Sequence, residues 1–267
     1  MLKLLWFIPR PAQDIEGFED WYQNQHVANG MRQELLQRFR ICRSFYPQPA
    51  FVTQANGTDE PRAYRFSEGY WQTLADIHHC YASVNGRAAL ADGPLNILPG
   101  RTPATPQPVM VVEEEFLPVV QELSFHVPTG RYQHPLACKL FGFVRLREGR
   151  AAEFEARYKA LAAKVADDPE LRRHVLGRSL DAVIRPGRVV QWPPIGAEHY
   201  DRTLEYYFDS RESLDRFCAS PWIGEVQALT GDLGEAIAWD AARIQEVFYT
   251  SKGDQPLEES WKARYAD

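Results

Sequence analysis

An internal repeat constrains the fold of this chain more than any other feature of its sequence. The run Phe18-Glu19-Asp20-Trp21-Tyr22 is echoed by Phe154-Glu155-Ala156-Arg157-Tyr158, which lies 136 positions later. A second pair of similar segments, Asp76–Ser83 and Glu212–Ser220, ends on the same Ala-Ser dipeptide at an offset of 137. Two nearly equal offsets over two separate segments indicate that the chain consists of two related halves.

The first half alternates strand and helix patterns. Short apolar or alternating runs predict strands at Lys3–Ile8, Arg40–Tyr46, Arg62–Trp71 and Val109–Leu117. Helical spacing predicts a helix at Asp14–Ala28, capped by Asp14, and another at Leu74–Ser83. Loops are predicted at Pro47–Pro61 and Pro94–Pro108. The order β-α-β-β-α-β is that of a ferredoxin-like domain.

The second half repeats this order. Its elements are predicted at Cys138–Leu146, Ala151–Val165, Thr203–Asp209, Glu212–Ser220 and Arg243–Thr250. The segment His174–Val183 fits either a strand or an extension of the preceding helix, and the pattern leaves both open. We therefore divide the chain into a first half at 1–118, a linker at 119–135, a second half at 136–251 and a polar tail at 252–267.

Each predicted half is an antiparallel sheet with both helices on one face. The other face carries apolar side chains and must be buried. We therefore expect an α+β fold in which the two ferredoxin-like halves pack sheet to sheet as a pseudo-dimeric barrel within one chain. A barrel of about eight strands holds side chains or one small ligand in its interior. The sequence leaves open whether this pseudo-dimer pairs further as a homodimer.

Composition and charge exclude several classes of partner. The chain has 36 acidic and 30 basic residues, whereas a nucleic-acid-binding protein needs a basic footprint. No run approaches the roughly 18 apolar residues of a membrane span, so we expect no membrane partner. The opening run MLKLLWFIPRP lacks the features of a signal peptide, which predicts a cytoplasmic protein. The four cysteines are widely separated, so reduced core thiols are expected rather than disulfides or zinc ligands.

The sequence predicts no metal site and no cofactor. Adjacent helical positions point about 100° apart, so His78 and His79 do not readily bind one ion. There is no HxH or HxxxH pair, no GxGxxG or phosphate-binding loop, and no GxSxG elbow. Four histidines in apparent loops or linkers have no surrounding motif that would support a haem ligand: His126, His134, His174 and His199.

The first helix carries the most distinctive candidate for chemistry. Phe18, Tyr22 and His26 follow one another at helical spacing with Trp21 beside them, so an imidazole ends an aromatic stripe. The polar positions between them, such as Glu19, are expected to face water. A histidine in this position is either the polar group of an apolar pocket or a cap on the last carbonyls of the helix.

The run Phe18-x-x-Trp21-Tyr22-x-x-x-His26 after an N-terminal strand resembles the signature of the EthD domain family, in the dimeric α+β barrel superfamily. The second half has Arg157 and Ala162 at the positions equivalent to Trp21 and His26. The resemblance therefore implies one site, in the first half, with the second half completing the barrel. It further implies cofactor-free enzymes or accessory proteins that act on hydrophobic, often aromatic, small molecules, although some relatives bind haem.

The leading hypothesis is a cofactor-independent enzyme of isomerase, lyase, dehydratase or cyclase type. Its ligand would be a hydrophobic, aromatic or phenolic carbonyl compound, held in the barrel of the first half, with His26 as general acid and base. We expect the substrate to contact Trp21, Tyr22, Arg43, Tyr64, Arg65, Glu68 and Tyr70. A tyrosine or arginine of this set would stabilise developing negative charge on the substrate oxygen.

Two carboxylates on predicted strands are further candidates for the site, and two other functions remain as alternatives. If Glu68 and Glu114 are buried, they would orient His26 or act as bases with raised pKa values; otherwise they are solvated strand ends or partners of arginines. The alternative functions are a non-catalytic carrier or accessory protein for an oxygenase pathway, and a haem-dependent oxidoreductase.

Overall fold

Eight antiparallel strands close into one barrel in the part of the chain that the structure describes. The structure is a computed structural model and describes residues 2–8, 14–91, 109–117, 119, 137–180 and 200–249. The strands are β1 (Leu2–Ile8), β2 (Arg38–Ser44), β3 (Arg65–Trp71), β4 (Val109–Leu117), β5 (Cys138–Leu146), β6 (Arg173–Ser179), β7 (Arg202–Phe208) and β8 (Gly234–Tyr249). Their order around the barrel is β1-β3-β2-β8-β5-β7-β6-β4.

The two halves of the chain meet along the edges of their sheets. The first half contributes β4-β1-β3-β2 and the second contributes β6-β7-β5-β8. The edge strand β2 pairs with β8, and β4 pairs with β6, both antiparallel. Each half therefore covers the edges of the other, and closure leaves no unpaired edge in the barrel. The expected intrachain α+β barrel of two ferredoxin-like halves is confirmed; the two uncovered faces line its interior.

Helices lie between the strands in both halves. The first half has α1 (Ile15–Trp21), a π-helical turn (Tyr22–His26), α2 (Val27–Met31), α3 (Ala50–Asn56), α4 (Leu74–Ala82) and α5 (Val84–Ala91). The second half has α6 (Ala151–Val165), α7 (Arg211–Cys218) and α8 (Pro221–Leu233). The segment His174–Val183, which fitted a strand or a helix extension, is strand from His174 to Ser179, and residues 181–183 lie outside the described residues. None of the helices among the described residues is long and apolar enough to cross a membrane.

Three of these helices were not predicted from the sequence. Helix α3 lies inside the segment expected to be a loop, and α5 and α8 were also missed. Contacts with distant residues hold α3 in place: Phe51 packs on Trp239 with ring centroids 5.2 Å apart, and Asn56 exchanges two hydrogen bonds with the Trp239 backbone. Strand β8 also begins at Gly234, earlier than expected, because it pairs with both β2 and β5.

Alternation along the strands separates an outer apolar layer from the barrel interior. On β1, Leu4 packs with the helices of the first half, whereas Leu5 and Phe7 pack inside the barrel. One part of the interior is aromatic, with Phe66 and Phe141 ring centroids 4.6 Å apart. The other part is ionic and fully buried: Lys3, Arg40, Glu68, Lys139 and Glu205. The barrel interior is therefore divided into an apolar end and a charged end.

Candidate functional site

A π-helical turn places the candidate histidine against two aromatic rings. The Asp14 carboxylate caps α1 by accepting a hydrogen bond of 2.8 Å from the Gly17 backbone. At Tyr22 the helix widens, and the Val27 backbone N–H donates to the Tyr22 carbonyl five residues earlier. The His26 ring centroid then lies 4.9 Å from that of Trp21 and 5.3 Å from that of Tyr22. Turns of this type occur as single insertions in helices, frequently at functional sites.

Tyr22 anchors this turn to the outer face of the sheet. Its side chain is fully buried, and its hydroxyl shares a hydrogen bond of 2.7 Å with the Ser67 hydroxyl on β3. The Arg65 guanidinium lies 4.4 Å from the centre of the Tyr22 ring. Burial raises the pKa of Tyr22 to about 12, although the Arg65 charge acts in the opposite direction. The phenol therefore stays protonated at ordinary pH and can donate a hydrogen bond.

A cluster around Glu19 docks α1 on the sheet. The Glu19 carboxylate accepts hydrogen bonds from the Arg65 guanidinium and, at 2.6 Å, from the Tyr64 hydroxyl. Arg43 lies 3.8 Å from the same carboxylate and over the Tyr64 ring. Burial favours the neutral acid, but the hydrogen bonds from Arg65 and Tyr64 hold the pKa of Glu19 below its usual range. Glu19 therefore pairs with the sheet rather than facing water as expected.

The sheet divides the expected substrate-binding residues between its two faces. On the outer face lie His26, Trp21, Tyr22, Arg43, Tyr64 and Arg65. Glu68 and Tyr70 lie inside the barrel, bonded to Arg40. His26 therefore does not face the barrel interior, where the ligand was expected, and the sequence leaves open which of the strand residues do. Strand alternation points residues 66, 68 and 70 inward, whereas the helical stripe covers the opposite face.

Buried carboxylates inside the barrel are paired with cations. The Lys139 ammonium bonds Glu68 and lies 2.8 Å from a Glu205 oxygen. One Arg40 nitrogen, Nη1, donates to Glu68 at 2.8 Å and to the Tyr70 hydroxyl at 3.1 Å. Although desolvation opposes it, the charges of Lys139 and Arg40 hold the pKa of Glu68 well below its usual range. Glu68 is thus a buried anion rather than a base with a raised pKa.

Glu114 is also buried inside the barrel, and its side chain is 1% exposed. Its carboxylate lies 2.9 Å from the Lys3 ammonium and 3.9 Å from the Arg38 guanidinium. Glu68 and Glu114 therefore belong to the interior network. Because the sheet lies between them and His26, neither carboxylate orients the imidazole.

The equivalent location in the second half is filled by packed side chains. The Tyr158 hydroxyl lies 2.6 Å from Nε2 of His174 and 2.7 Å from the Tyr206 hydroxyl. Burial lowers the pKa of His174 to about 3, so its imidazole is neutral. Ala162, at the position equivalent to His26, is 1% exposed. Of the two equivalent helix positions, the one in the first half therefore carries a half-buried histidine, and the one in the second half carries a buried alanine.

Several residues around His26 and inside the barrel were not identified from the sequence. Alternation along β3 puts Ser67 on the same face as Arg65, but nothing in the sequence pairs Ser67 with Tyr22. The interacting polar residues inside the barrel come from strands far apart in the chain: Lys3, Arg40, Lys139, Glu205 and Tyr207. No group of three or more His, Cys, Asp or Glu side chains suited to a metal ion occurs among the described residues. His126, His134 and His199 lie outside those residues.

Comparisons with known proteins identify the fold. No protein-family model and no curated protein matches the sequence. An anthrone oxidase-like protein superposes with a TM-score of 0.60 at 11% identity, covering 94% of this chain and 93% of that protein. A putative monooxygenase from Fusobacterium nucleatum subsp. nucleatum gives a TM-score of 0.56 at 7% identity, with coverages of 95% and 96%. Both likenesses show a dimeric α+β barrel fold, and identities this low show the fold alone.

An ethyl tert-butyl ether d (EthD) family protein from Bacillus halodurans C-125 is also similar in structure. It covers 43% of this chain and 99% of its own length, at 19% identity and a TM-score of 0.34.

Proposed function

We propose that this chain is a small-molecule enzyme whose site lies at the π-helical turn of the first half, with His26 as general acid and base. The observation that carries the proposal is the half-buried His26 imidazole, held 4.9 Å from the Trp21 ring and 5.3 Å from the Tyr22 ring. An imidazole exchanges protons near neutral pH, and a positioned one accelerates a reaction about 10²–10⁴-fold. The contrast with the sealed His174 supports a functional rather than a packing role for His26.

The surroundings of His26 favour an aromatic carbonyl ligand. The Trp21 ring, which is only partly buried, offers a stacking surface for a flat apolar molecule. Arg43, whose side chain is 44% exposed on the same face of the sheet, can donate a hydrogen bond to a carbonyl oxygen as negative charge develops there. His26 would remove a proton from the carbon beside that carbonyl and return it to another atom of the same molecule. This transfer needs no cofactor and covers isomerisation, dehydration and cyclisation.

Two similarities are consistent with this ligand class. The first helix carries the EthD-like run that ends at His26, which favours a site in the first half. One structural neighbour is described as anthrone oxidase-like, and an anthrone is an aromatic carbonyl compound. Membership of the EthD family and a role in aromatic compound metabolism are parts of this proposal.

Proton transfer can be tested without knowing the complete reaction. Phenolic ketones and aromatic lactones are incubated with the protein in deuterated water, and exchange beside the carbonyl is followed by proton NMR. We expect exchange with the wild-type chain and a loss of about 100-fold or more in His26→Gln. His79→Gln serves as the control, because His79 is exposed and pairs with Glu34 on the surface.

Ligand binding separates an enzyme from a carrier. Quenching of tryptophan fluorescence measures affinity for the same compounds, and His26→Gln should keep that affinity within a few-fold. Binding by the wild-type chain without any deuterium exchange would contradict the enzyme and favour a carrier. Equal exchange by wild type and His26→Gln would remove His26 from the mechanism.

A further inference from the structure

Three arginines meet around two tyrosine rings at the charged end of the barrel. The Arg38 guanidinium carbon lies 3.7 Å from the centre of the Tyr70 ring. The corresponding carbons of Arg40 and Arg173 lie 5.0 Å and 5.8 Å from the centre of the Tyr207 ring. Arg38 and Arg40 come from β2, and Arg173 comes from β6. Both halves of the chain therefore supply cations to the same region.

The described carboxylates do not balance these cations. Five cationic side chains, those of Lys3, Arg38, Arg40, Lys139 and Arg173, surround the carboxylates of Glu68, Glu114 and Glu205. Arg173 forms no ion pair within the described part of the chain; its contacts are with the rings of Phe116 and Tyr207. Positive charge therefore exceeds negative charge by two in a largely buried cluster. Such an excess is unfavourable unless an anion accompanies it.

Buried guanidinium donors in this cluster are also unused. Arg40 is fully buried, and its three hydrogen bonds, to Glu68, Tyr70 and Tyr207, all come from Nη1. Nε and Nη2 of Arg40 have no hydrogen-bond partner among the described residues, and neither does Nε of Arg38 or Arg173. Buried donors of this kind are almost always satisfied in folded proteins. The cluster therefore presents hydrogen-bond donors and surplus positive charge in one place.

We propose that the charged end of the barrel binds a small organic carboxylate. Arginine forks match the planar, two-oxygen geometry of a carboxylate, and each such bond is assisted by charge. The rings of Tyr70, Tyr207 and Phe116 supply apolar contacts for the organic part of the ligand. The Arg38 side chain is 11% exposed and Phe116 is 49% exposed, whereas Arg40 is fully buried. Solvent therefore reaches Arg38 and Phe116 at this end of the barrel but does not reach Arg40.

This site is independent of the function proposed for His26. The sheet separates them, because β3 directs Glu68 and Tyr70 inward and Ser67 outward to Tyr22. A carboxylate in the barrel would therefore not contact the His26 imidazole. Variants at the two sites are expected to act separately.

Isothermal titration calorimetry with benzoate tests the proposal, with benzamide as a neutral analogue of the same shape and phosphate as an inorganic anion. We expect the wild-type chain to bind benzoate saturably and to bind neither benzamide nor phosphate at the same concentrations. Arg173→Gln should weaken benzoate binding at least about tenfold, because it removes charge-assisted hydrogen bonds. Arg178→Gln is the matched control, since Arg178 lies on the same strand, is exposed and pairs with Glu113.

Thermal melts monitored by circular dichroism confirm that each variant is folded, and Arg38→Gln provides a second test if Arg173→Gln is unstable. Absence of saturable benzoate binding to the wild type would overturn the proposal, and so would unchanged binding by Arg173→Gln or equal binding of benzamide. Binding of phosphate in place of benzoate would refute the carboxylate class. His26→Gln should bind benzoate as the wild type does; a loss there, with Arg173→Gln unaffected, would locate the anion at the other site.

Discussion

Arg40 on β2 donates a hydrogen bond of 2.6 Å to the phenolic oxygen of Tyr207 on β7. The two residues belong to different halves of the chain, and both side chains are buried. The halves are therefore joined across the barrel interior as well as along their edges. Lys139 acts in the same way, because it bonds Glu68 of the first half and Glu205 of the second.

Removing the Lys139 charge should destabilise the barrel strongly. Lys139→Met leaves Glu68 and Glu205 buried with one cation fewer, and breaking a buried pair typically costs about 3–5 kcal/mol. Lys159→Met is the control, because Lys159 pairs with Glu115 at the surface, where such pairs contribute about 1 kcal/mol or less. Urea denaturation measures both free energies of unfolding. Equal losses in the two variants would show that the interior pairs are no more important than surface ones.

Asp240 should make the stability of the chain depend on pH. Its carboxylate is fully buried and accepts hydrogen bonds from the Gln48 side chain and the Arg62 backbone, each 2.9 Å long. Burial raises its pKa to about 7, against the effect of these hydrogen bonds. Because the pKa is raised by folding, the associated stability is complete below the ordinary pKa and is lost as pH rises to about 7. The free energy of unfolding should fall by up to about 4 kcal/mol across that window.

The Asp240 prediction is tested by measuring urea denaturation at several pH values between pH 4 and pH 8. Asp240→Asn cannot ionise, so the decline should disappear in this variant. Asp59→Asn removes an exposed carboxylate from the segment that precedes β3 and should keep the wild-type decline. An equally steep decline in Asp240→Asn would assign the effect to other groups.

The sequence predicts the strands and their faces well because both follow from local patterns. Strands β4 and β5 and helix α6 occur at the predicted bounds. Alternation predicts one face for Tyr64, Phe66, Glu68 and Tyr70, which holds for the last three; Tyr64 precedes β3 and lies on the outer face. The internal repeat predicts the barrel, because each half has an uncovered sheet face that must be buried. These inferences need only periodicity and the requirement to bury apolar surface.

What the sequence did not predict depends on contacts between distant residues. Helix α3 has a weak pattern of its own and is held by Trp239 of the other half. The sequence left open which strand residues face the barrel interior, because periodicity does not show which face of the sheet the first helix covers. The ion pairs of the barrel interior were not predicted for a similar reason. In the sequence Glu68 resembles a solvated strand residue, and only the folded barrel places Lys139 beside it.

The hydrogen bonds of Tyr158 should contribute to stability without affecting the candidate site. Tyr158→Phe leaves His174 Nε2 and the Tyr206 hydroxyl buried without their shared partner, which should cost about 1–3 kcal/mol. His26→Gln should change stability by less than about 0.5 kcal/mol, because His26 is only half buried. Thermal unfolding measures stability, and deuterium exchange of an aromatic ketone measures function. The prediction fails if Tyr158→Phe loses exchange or if His26→Gln unfolds.

Two glycine substitutions should change stability in opposite directions. A Cβ at Gly177 on β6 would clash with the Thr203 hydroxyl and a Val112 methyl group inside the barrel, so Gly177→Ala should cost about 1–3 kcal/mol. A Cβ at Gly224 in α8 has no heavy atom within 4 Å, so Gly224→Ala should stabilise the chain by about 0.5–1 kcal/mol through its helix propensity. Both changes add one methyl group, so the difference between them in urea denaturation isolates the packing of the barrel. If the free energies of unfolding of Gly177→Ala and Gly224→Ala are equal, β4, β6 and β7 are not closely packed near Thr203, and the prediction is wrong.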